Sequence, residues 1–190
     1  MREQLVDPLP HRWETPRLTV QDSALHDVPE LQQINDHLPS IEGWTGAQTK
    51  DGTGDSLLAA LAQGVLPPDG SPALFRLQSL QLRHTGQLAG FLGAYHGFPT
   101  PDTLWITVLA IDPPFQGQGL GQEVLCGLSD MLGHLGTFSR MRLCVSLKNW
   151  PALRFWTQAG FRTIVEVAGD KVHSDTASGH LILEKPVARP

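Results

Sequence analysis

Apolar residues recur along this chain at two different steps, and the alternation between them predicts helices interleaved with strands. Leu25, Val28, Leu31, Ile34 and Leu38 follow a step of three or four, which predicts a helix opened by Asp22 or Ser23 and ended by Pro39. Residues 40–55, SIEGWTGAQTKDGTGD, break the pattern and read as an ordered loop or cover. A short helix follows over 56–64, with Leu57, Leu58 and Leu61 on one side. Residues 74–82 and 87–95 then alternate as two strands joined through His84-Thr85-Gly86. Their alternation slips at Ser79-Leu80, as at a bulge, and Gly90 and Gly93 imply close approach of a neighbouring backbone. Residues 103–111 are apolar on both faces, which suits the centre of a covered sheet. A helix from near Gly119 to Gly136 carries Leu120, Val124, Leu128, Met131 or Leu132, and Leu135 on one stripe. The pattern closes with a strand over 142–146, a helix capped by Asn149 and stopped at Gly160, and a hairpin of 161–167 with 180–185.

Length narrows this picture to one domain over 13–190, preceded by a loosely held arm over 1–12. The 14 Lys and Arg against 19 Asp and Glu give a net charge of −5, with no basic run to neutralise a nucleic-acid backbone. Nucleic acid is therefore not an expected partner. Any phosphate site must rely on backbone dipoles more than on cations, and the negative surface favours an amine-bearing partner. No charged leader with an apolar core opens the chain, and no apolar run is long enough to span a bilayer, so a cytoplasmic protein without membrane contact is expected. Cys126 and Cys144 fall on the predicted helix and strand after the glycine run, where they read as small buried thiols. Nothing in their spacing suggests a disulfide, a metal ligand set or a redox pair.

The chemistry concentrates in Trp105 to Gly121, WITVLAIDPPFQGQGLG. A buried strand stops at Asp112-Pro113-Pro114, and a glycine-rich turn opens directly into a helix. Such a turn leaves several backbone N–H groups pointing one way with the positive end of the helix dipole behind them, which makes an anion site. Gly117, Gly119 and Gly121 keep side chains from holding a phosphate off the main chain. A nucleotide-hydrolysing loop needs Lys and then Ser or Thr after its last Gly, whereas Gln122-Glu123 follow Gly121. The dinucleotide fingerprint G-x-G-x-x-G is absent too, since this run is G-x-G-x-G.

Gln116-Gly117-Gln118-Gly119-Leu120-Gly121 instead resembles the (Q/R)-x-x-G-x-(G/A) pyrophosphate motif of the GCN5-related N-acetyltransferase (GNAT) family. Asn149-Trp150-Pro151-Ala152-Leu153-Arg154-Phe155-Trp156-Thr157-Gln158-Ala159-Gly160-Phe161 resembles the family's N-x-x-A-x-x-F-Y-x-x-x-G-F, at a separation that leaves room for a helix and a strand. Near the start, Thr15-Pro16-Arg17-Leu18-Thr19-Val20 is similar to the T-x-R-L-x-L of its ribosomal-protein-acetylating branch, with Arg17 read as a ligand contact or, the favoured reading, an exposed strand charge. The resemblance implies an α/β (α+β) fold with a mixed, mostly antiparallel sheet of six to seven strands, about four helices, and a splay between the two central strands.

The activity so implied is transfer of an acetyl group from acetyl-CoA, as cosubstrate, to a primary amine of a small molecule, peptide or protein N-terminus, with a homodimer as a candidate assembly. Gln116, Gly117, Gln118, Gly119, Leu120 and Gly121 would hold the diphosphate. Leu109, Ala110 and Ile111 would offer a free strand edge to the pantetheine arm, the Leu109 main chain facing the acetyl oxygen. Asn149, Phe155 and Trp156 would line the same arm, and Glu42 and Trp44 would meet the acceptor. Where many relatives carry a Tyr that can protonate the leaving thiolate, this chain has Trp156, whose indole N–H donates a hydrogen bond but no proton. Asp102 and His173 are the candidate bases, with a water chain to solvent as the alternative. The missing acid also admits a second reading, a non-catalytic acyl-CoA-binding module with a degenerate active site.

Overall fold

The computed structural model describes residues 9–38, 67, 69–172, 174 and 177–189. In chain order its elements are β1 (Arg12–Glu14), β2 (Leu18–Asp22), α1 (Val28–His37), β3 (Phe75–Leu82), β4 (Leu88–His96), β5 (Thr103–Ile111), α2 (Leu120–Leu135), β6 (Arg140–Ser146), α3 (Trp150–Gln158), β7 (Thr163–Gly169) and β8 (Gly179–Pro186). The strands form one sheet in the order β1-β2-β3-β4-β5-β6-β8-β7. Every pairing is antiparallel except β5 with β6.

The sheet has eight strands where six to seven were expected, because the three-residue β1 is too short to show a period. Its place is fixed by pairing with β2 and by Leu9, which is buried just before it. The helix expected over 56–64 lies outside the described residues. Helix α1 begins later than Asp22 or Ser23 because Ser23 still belongs to the sheet edge. Its N–H donates to the Leu77 carbonyl and its hydroxyl meets that of Ser79. A turn of 3-10 helix over Leu25–Asp27 intervenes, leaving Leu25 exposed and only Val28, Leu31 and Ile34 buried. The register between β3 and β4 shifts at Leu80/Gln81, one residue beyond the slip in alternation at Ser79-Leu80.

Each face of the sheet carries its own core. Helices α2 and α3 contribute Leu120, Val124, Leu128, Leu132, Leu153 and Trp156 to one, and α1 contributes Leu31 and Ile34 to the other. Strand β5 shows how the faces are assigned. Strict alternation would put Leu104, Ile106, Val108 and Ala110 together, yet Leu104 and Ile106 pack toward α2 while Val108 and Ala110 pack toward α1. A bulge accounts for this: Gly93 pairs with Val108 and Ala94 with Ile106, so Thr107 is an extra residue that flips all that follow. Gly93 is required here, because a Cβ would lie 2.5 Å from Thr107 Oγ1.

The same place marks the end of pairing between the central strands. Thr103 to Ile106 pair with Arg140 to Leu143, and beyond that β6 pairs only with β8 while β5 pairs only with β4. Residues 107–111 thus keep a main-chain edge that no strand among the described residues covers on the β6 side. Two parallel strands that part in mid-course leave a wedge, and the wedge is the cleft.

Candidate active site

The cavity between the parting strands has a volume of about 740 Å³ and is floored by the unpaired half of β5, Thr107 to Ile111. Leu143 to Val145 of β6 form the opposite wall, the glycine turn closes one end, and Asn149, Phe155 and Trp156 of α3 and its cap reach in from above. Leu109 and Ile111 are half-buried on the α2 side. The wall is mostly aliphatic, so its polar features are few and placed.

The glycine turn is one of them. Gln116 donates its N–H to Pro113 and its side-chain amide to the Ile111 carbonyl at 2.7 Å, tying the turn to the end of β5. Glu123 is the next backbone donor with a partner, bonding to the Gly119 carbonyl at 3.0 Å. Between them the amides of Gly117, Gln118, Gly119, Leu120, Gly121 and Gln122 have no acceptor among the described residues. Gly117 and Gly119 take left-handed φ values of 72° and 79°, which strain any residue with a Cβ, and the space above Gly117 is open. Gly121 is small for a different reason, since its Cβ would press on Phe155 at 3.1 Å.

A second feature lay outside the sequence reading. Arg17 is not a free strand charge: its N–H and Nε both donate to Glu123, at 2.8 and 2.5 Å, and Nη1 donates to the Gln118 carbonyl at 2.9 Å. Glu123 also accepts from the Thr15 hydroxyl at 2.6 Å. Burial alone would raise the Glu123 carboxyl, but these donors outweigh it and hold the pKa below the ordinary 4.5. The clamp fastens the start of β2 to the first turn of α2. Nothing in sequence spacing could reveal it, since the partners are 106 residues apart.

Asn149 is buried and caps α3, its Oδ1 accepting from the Ala152 N–H at 3.1 Å. Trp156 is 7 % exposed and stacks edge-on between Phe155 and Phe161, so its ring belongs to the core as well as to the cleft wall. Both cysteines are exposed, which corrects the expectation of buried thiols. Cys126 lies on the outer face of α2, and Cys144 follows the point of splay with its side chain in the cleft wall. Enough protein still surrounds the Cys144 sulfur that burial, with help from the Glu166 charge, raises its pKa above the ordinary 9.0.

Asp102 precedes β5 at the end away from the glycine turn, where Ser139, Thr100 and Arg140 hold its carboxylate. The Ser139 hydroxyl is the largest influence, followed by that of Thr100, and together with Arg140 they bring the pKa from 3.8 to about 2. Through these contacts the carboxylate joins the start of β5 to the start of β6, where the two strands are still paired. His173, Glu42 and Trp44 lie outside the described residues. Nearer the cleft, His37 at the end of α1 meets Asp112 at 3.3 Å, and Leu38 beside it lines the wall.

Comparison with known proteins fits this geometry. The family model described as Acetyltransferase (GNAT) family matches residues 56–161. Among solved structures, the ribosomal-protein-S18-alanine N-acetyltransferase from Escherichia coli is similar, with a TM-score of 0.63 and 19 % identity, covering 91 % of this chain and 96 % of that one. A protein from Chromobacterium violaceum described as a probable acetyltransferase (GNAT family) superposes with a TM-score of 0.74 at 14 % identity, covering 94 % of this chain and 87 % of that one. A spermidine N-acetyltransferase chimera involving Vibrio cholerae does so at 0.67 and 15 % identity, covering 89 % and 95 %. At these identities the likeness establishes the fold. No curated protein sequence matches the chain.

Proposed function

The chain belongs to the acetyltransferase (GNAT) family, and on that premise we propose that it is an N-acetyltransferase that carries an acetyl group from acetyl-CoA to a primary amine of a small molecule, peptide or protein N-terminus. The observation that carries this reading is the run of unpartnered amides from Gly117 to Gln122 at the end of an apolar wedge. Leu120 and Gly121 are buried while Gly117, Gln118, Gly119 and Gln122 are exposed, and free donors at the start of a long helix, with the positive end of its dipole behind them, suit an anion that a ligand brings. A diphosphate fits the donor set, and an extended pantetheine arm fits the aliphatic wall and the bare edge of β5.

Chemistry then needs little from side chains. The neutral amine adds to the thioester carbonyl, the new C–N bond forms, the C–S bond breaks, and the nitrogen loses its proton to water. Residues 107–111 supply main-chain groups on the open edge, and the Leu109 main chain is our candidate to polarise the carbonyl. The Trp156 indole can donate a hydrogen bond toward sulfur, and solvent protonates the departing thiolate. Positioning of the two substrates in one wedge accounts for most of the rate. The acceptor amine and the cytoplasmic location stay part of this proposal.

Trp156 favours the second reading, a carrier-binding module without turnover. Calorimetric titration with acetyl-CoA, followed by thiol release over an amine panel, separates the two. The panel begins with an alanine-ended peptide and spermidine, the acceptors named for two of the structural relatives. We expect binding and amine-dependent thiol. Binding without amine-dependent thiol selects the module, and absence of both refutes both.

A further inference from the structure

Away from the cleft, the exposed apolar surface gathers in one corner of the molecule. Among the described residues eight large apolar side chains are exposed, and six of them fall between residues 147 and 172. Such residues are normally scattered singly, so their concentration marks a surface built for contact. Trp150, Ile164 and Val167 are 66, 57 and 67 % exposed, and β7, which carries two of them, is the last strand of the sheet. The opposite edge strand, β1, reads Arg12-Trp13-Glu14 and is charged at both ends, as an edge kept from partners would be.

The register of β7 puts these residues on one face. Ile164 pairs with Leu183 and Val167 with Leu181, and both leucines pack into the core beneath α3. Leu147 lies over β8 on that face too, because a Cβ on Gly179, two residues before Leu181, would sit 2.9 Å from Leu147 Cδ1. Trp150 comes from α3. Pro151, Ala152, Phe155 and Gln158 of that helix line the cleft and Leu153 and Trp156 are buried, so at 3.6 residues per turn Trp150 is left on the flank away from the cleft, toward β7. The result is a ledge: α3 stands about 10 Å, a helix diameter, above the sheet, and Ile164 and Val167 lie bare beside it. Charge on the ledge has one sign. Residues 140–190 hold eight Lys and Arg against four Asp and Glu, a local +4 in a chain of −5. The Lys185 stem runs along this face over Gly160, and Arg154 follows Trp150 by one turn. The carboxylates lie elsewhere: Glu166, opposite Ile182, and Glu184, held by Arg142, are on the other face of the sheet, and Asp170 accepts from the Ser178 N–H and hydroxyl.

We propose that the ledge between α3 and β7 docks an acidic amphipathic helix of a partner protein, laid along β7 with its apolar stripe on Ile164, Val167 and Trp150 and its carboxylates against Arg154 and Lys185. The seven residues of β7 span about 23 Å, the length of a helix of about 15 residues. Charge argues against a second copy of this chain, since a two-fold axis through the ledge would set the same cations against one another. Shape argues against a bilayer, since a flat surface would meet α3 before it reached Ile164 and Val167. The ledge is on the far side of α3 from the cleft, so this inference does not rest on the proposed function.

The test uses the whole protein and two fluorescent peptides of about 15 residues, one of Leu, Ala and Glu with its leucines on one helical face, the other with Lys in place of Glu. Anisotropy should show saturable binding of the glutamate peptide that weakens as salt is raised, and binding of the lysine peptide at least about tenfold weaker. Ile164→Glu and Val167→Glu should each weaken the glutamate peptide by about tenfold or more, through a lost apolar contact and a new like charge. Arg154→Glu combined with Lys185→Glu should weaken it as well and strengthen the lysine peptide. Leu25→Glu, at an exposed apolar residue before α1, should change neither. Absence of binding by the wild type, equal binding of the two peptides, or an equal loss in Leu25→Glu would overturn the proposal. Binding of phosphatidylglycerol vesicles that disappears in Val167→Glu, with no binding of the glutamate peptide, would make the ledge a membrane face instead. A dimer in sedimentation velocity that Val167→Glu dissociates would make it an interface between copies, and either result overturns the proposal too.

Discussion

Substituting Gly119 separates the backbone's part in the turn from the ligand's. With φ at +79°, any L-residue there adopts the left-handed region at a cost of roughly 1–2 kcal/mol. For a domain of this size that is a fall in Tm of about 2–8 °C. Gly119→Ala should lose that much and bind acetyl-CoA more weakly, because strain at this φ disturbs the turn that aims the amides. Gly119→Glu adds a charge at the same point. Its carboxylate is within reach of Arg17 Nη2, 3.7 Å from the Cβ position, and so becomes a tethered anion in the place meant for phosphate. Like charges about 4 Å apart repel by roughly 1–4 kcal/mol at the dielectric of a protein surface or water, which is about 5–1,000-fold in affinity per charge facing it. The fold should fare no worse than in Gly119→Ala, since the new carboxylate pairs with Arg17. Differential scanning calorimetry and titration of acetyl-CoA measure both effects. Unchanged affinity in Gly119→Glu would refute the reasoning outright. A Tm loss for Gly119→Glu much larger than for Gly119→Ala would refute the pairing with Arg17.

Other positions yield shorter tests. Asp102 has a depressed pKa in the fold, so its contribution to stability is complete above the unfolded value near 3.8 and is lost as pH falls toward about 2. Asp102→Asn should therefore lower Tm at pH 6 and cease to matter as the pH approaches about 2, while thiol release at neutral pH changes less than about 3-fold; a collapse of turnover without loss of stability would restore it as a base. Trp156→Tyr removes part of a ring packed at 5.0 and 5.3 Å against Phe155 and Phe161, and should cost about 1–2 kcal/mol of stability with no gain in turnover; a gain of tenfold or more would show that a missing acid limits the rate. Cys144 should alkylate more slowly when acetyl-CoA is present while Cys126 on the outer face of α2 reacts at an unchanged rate, as mass spectrometry after brief maleimide treatment will show; equal rates for Cys144 would place the carrier elsewhere.

The parts legible in the sequence are those whose physics is local. The apolar run of β5, its stop at Asp112, the glycine turn, the helix ending at Gly136 with φ of 68° and the Asn149 cap all follow from neighbours within a few residues. The close approach at Gly90 was legible from the glycine alone, although its partner is on the neighbouring strand, where a Cβ would sit 2.1 Å from the Ala110 carbonyl oxygen. What stayed hidden depends on partners far along the chain. Thr107 carries no mark of being a bulged residue, although it is the only hydroxyl between Leu104 and Ile111 and lies where the strands part. Arg17 looked like a surface charge until Glu123 was brought beside it. The partners of Asp102 were hidden in the same way, since Ser139 and Arg140 are returned to the start of β5 by the crossover through α2. The cysteines misled because a residue on a helix or strand past the glycine run can face either way, and Cys144 faces the cleft that the splay creates.

The central claim is that the amides of Gly117 to Gln122 wait for a phosphate, and an amide-resolved NMR titration reports on each of them directly. Added coenzyme A should move the amide protons of Gly117, Gly119, Leu120 and Gly121 downfield together, as expected for N–H groups that gain a charged acceptor, and pantetheine should leave them in place. Coenzyme A that binds while those four signals stay still would contradict the account.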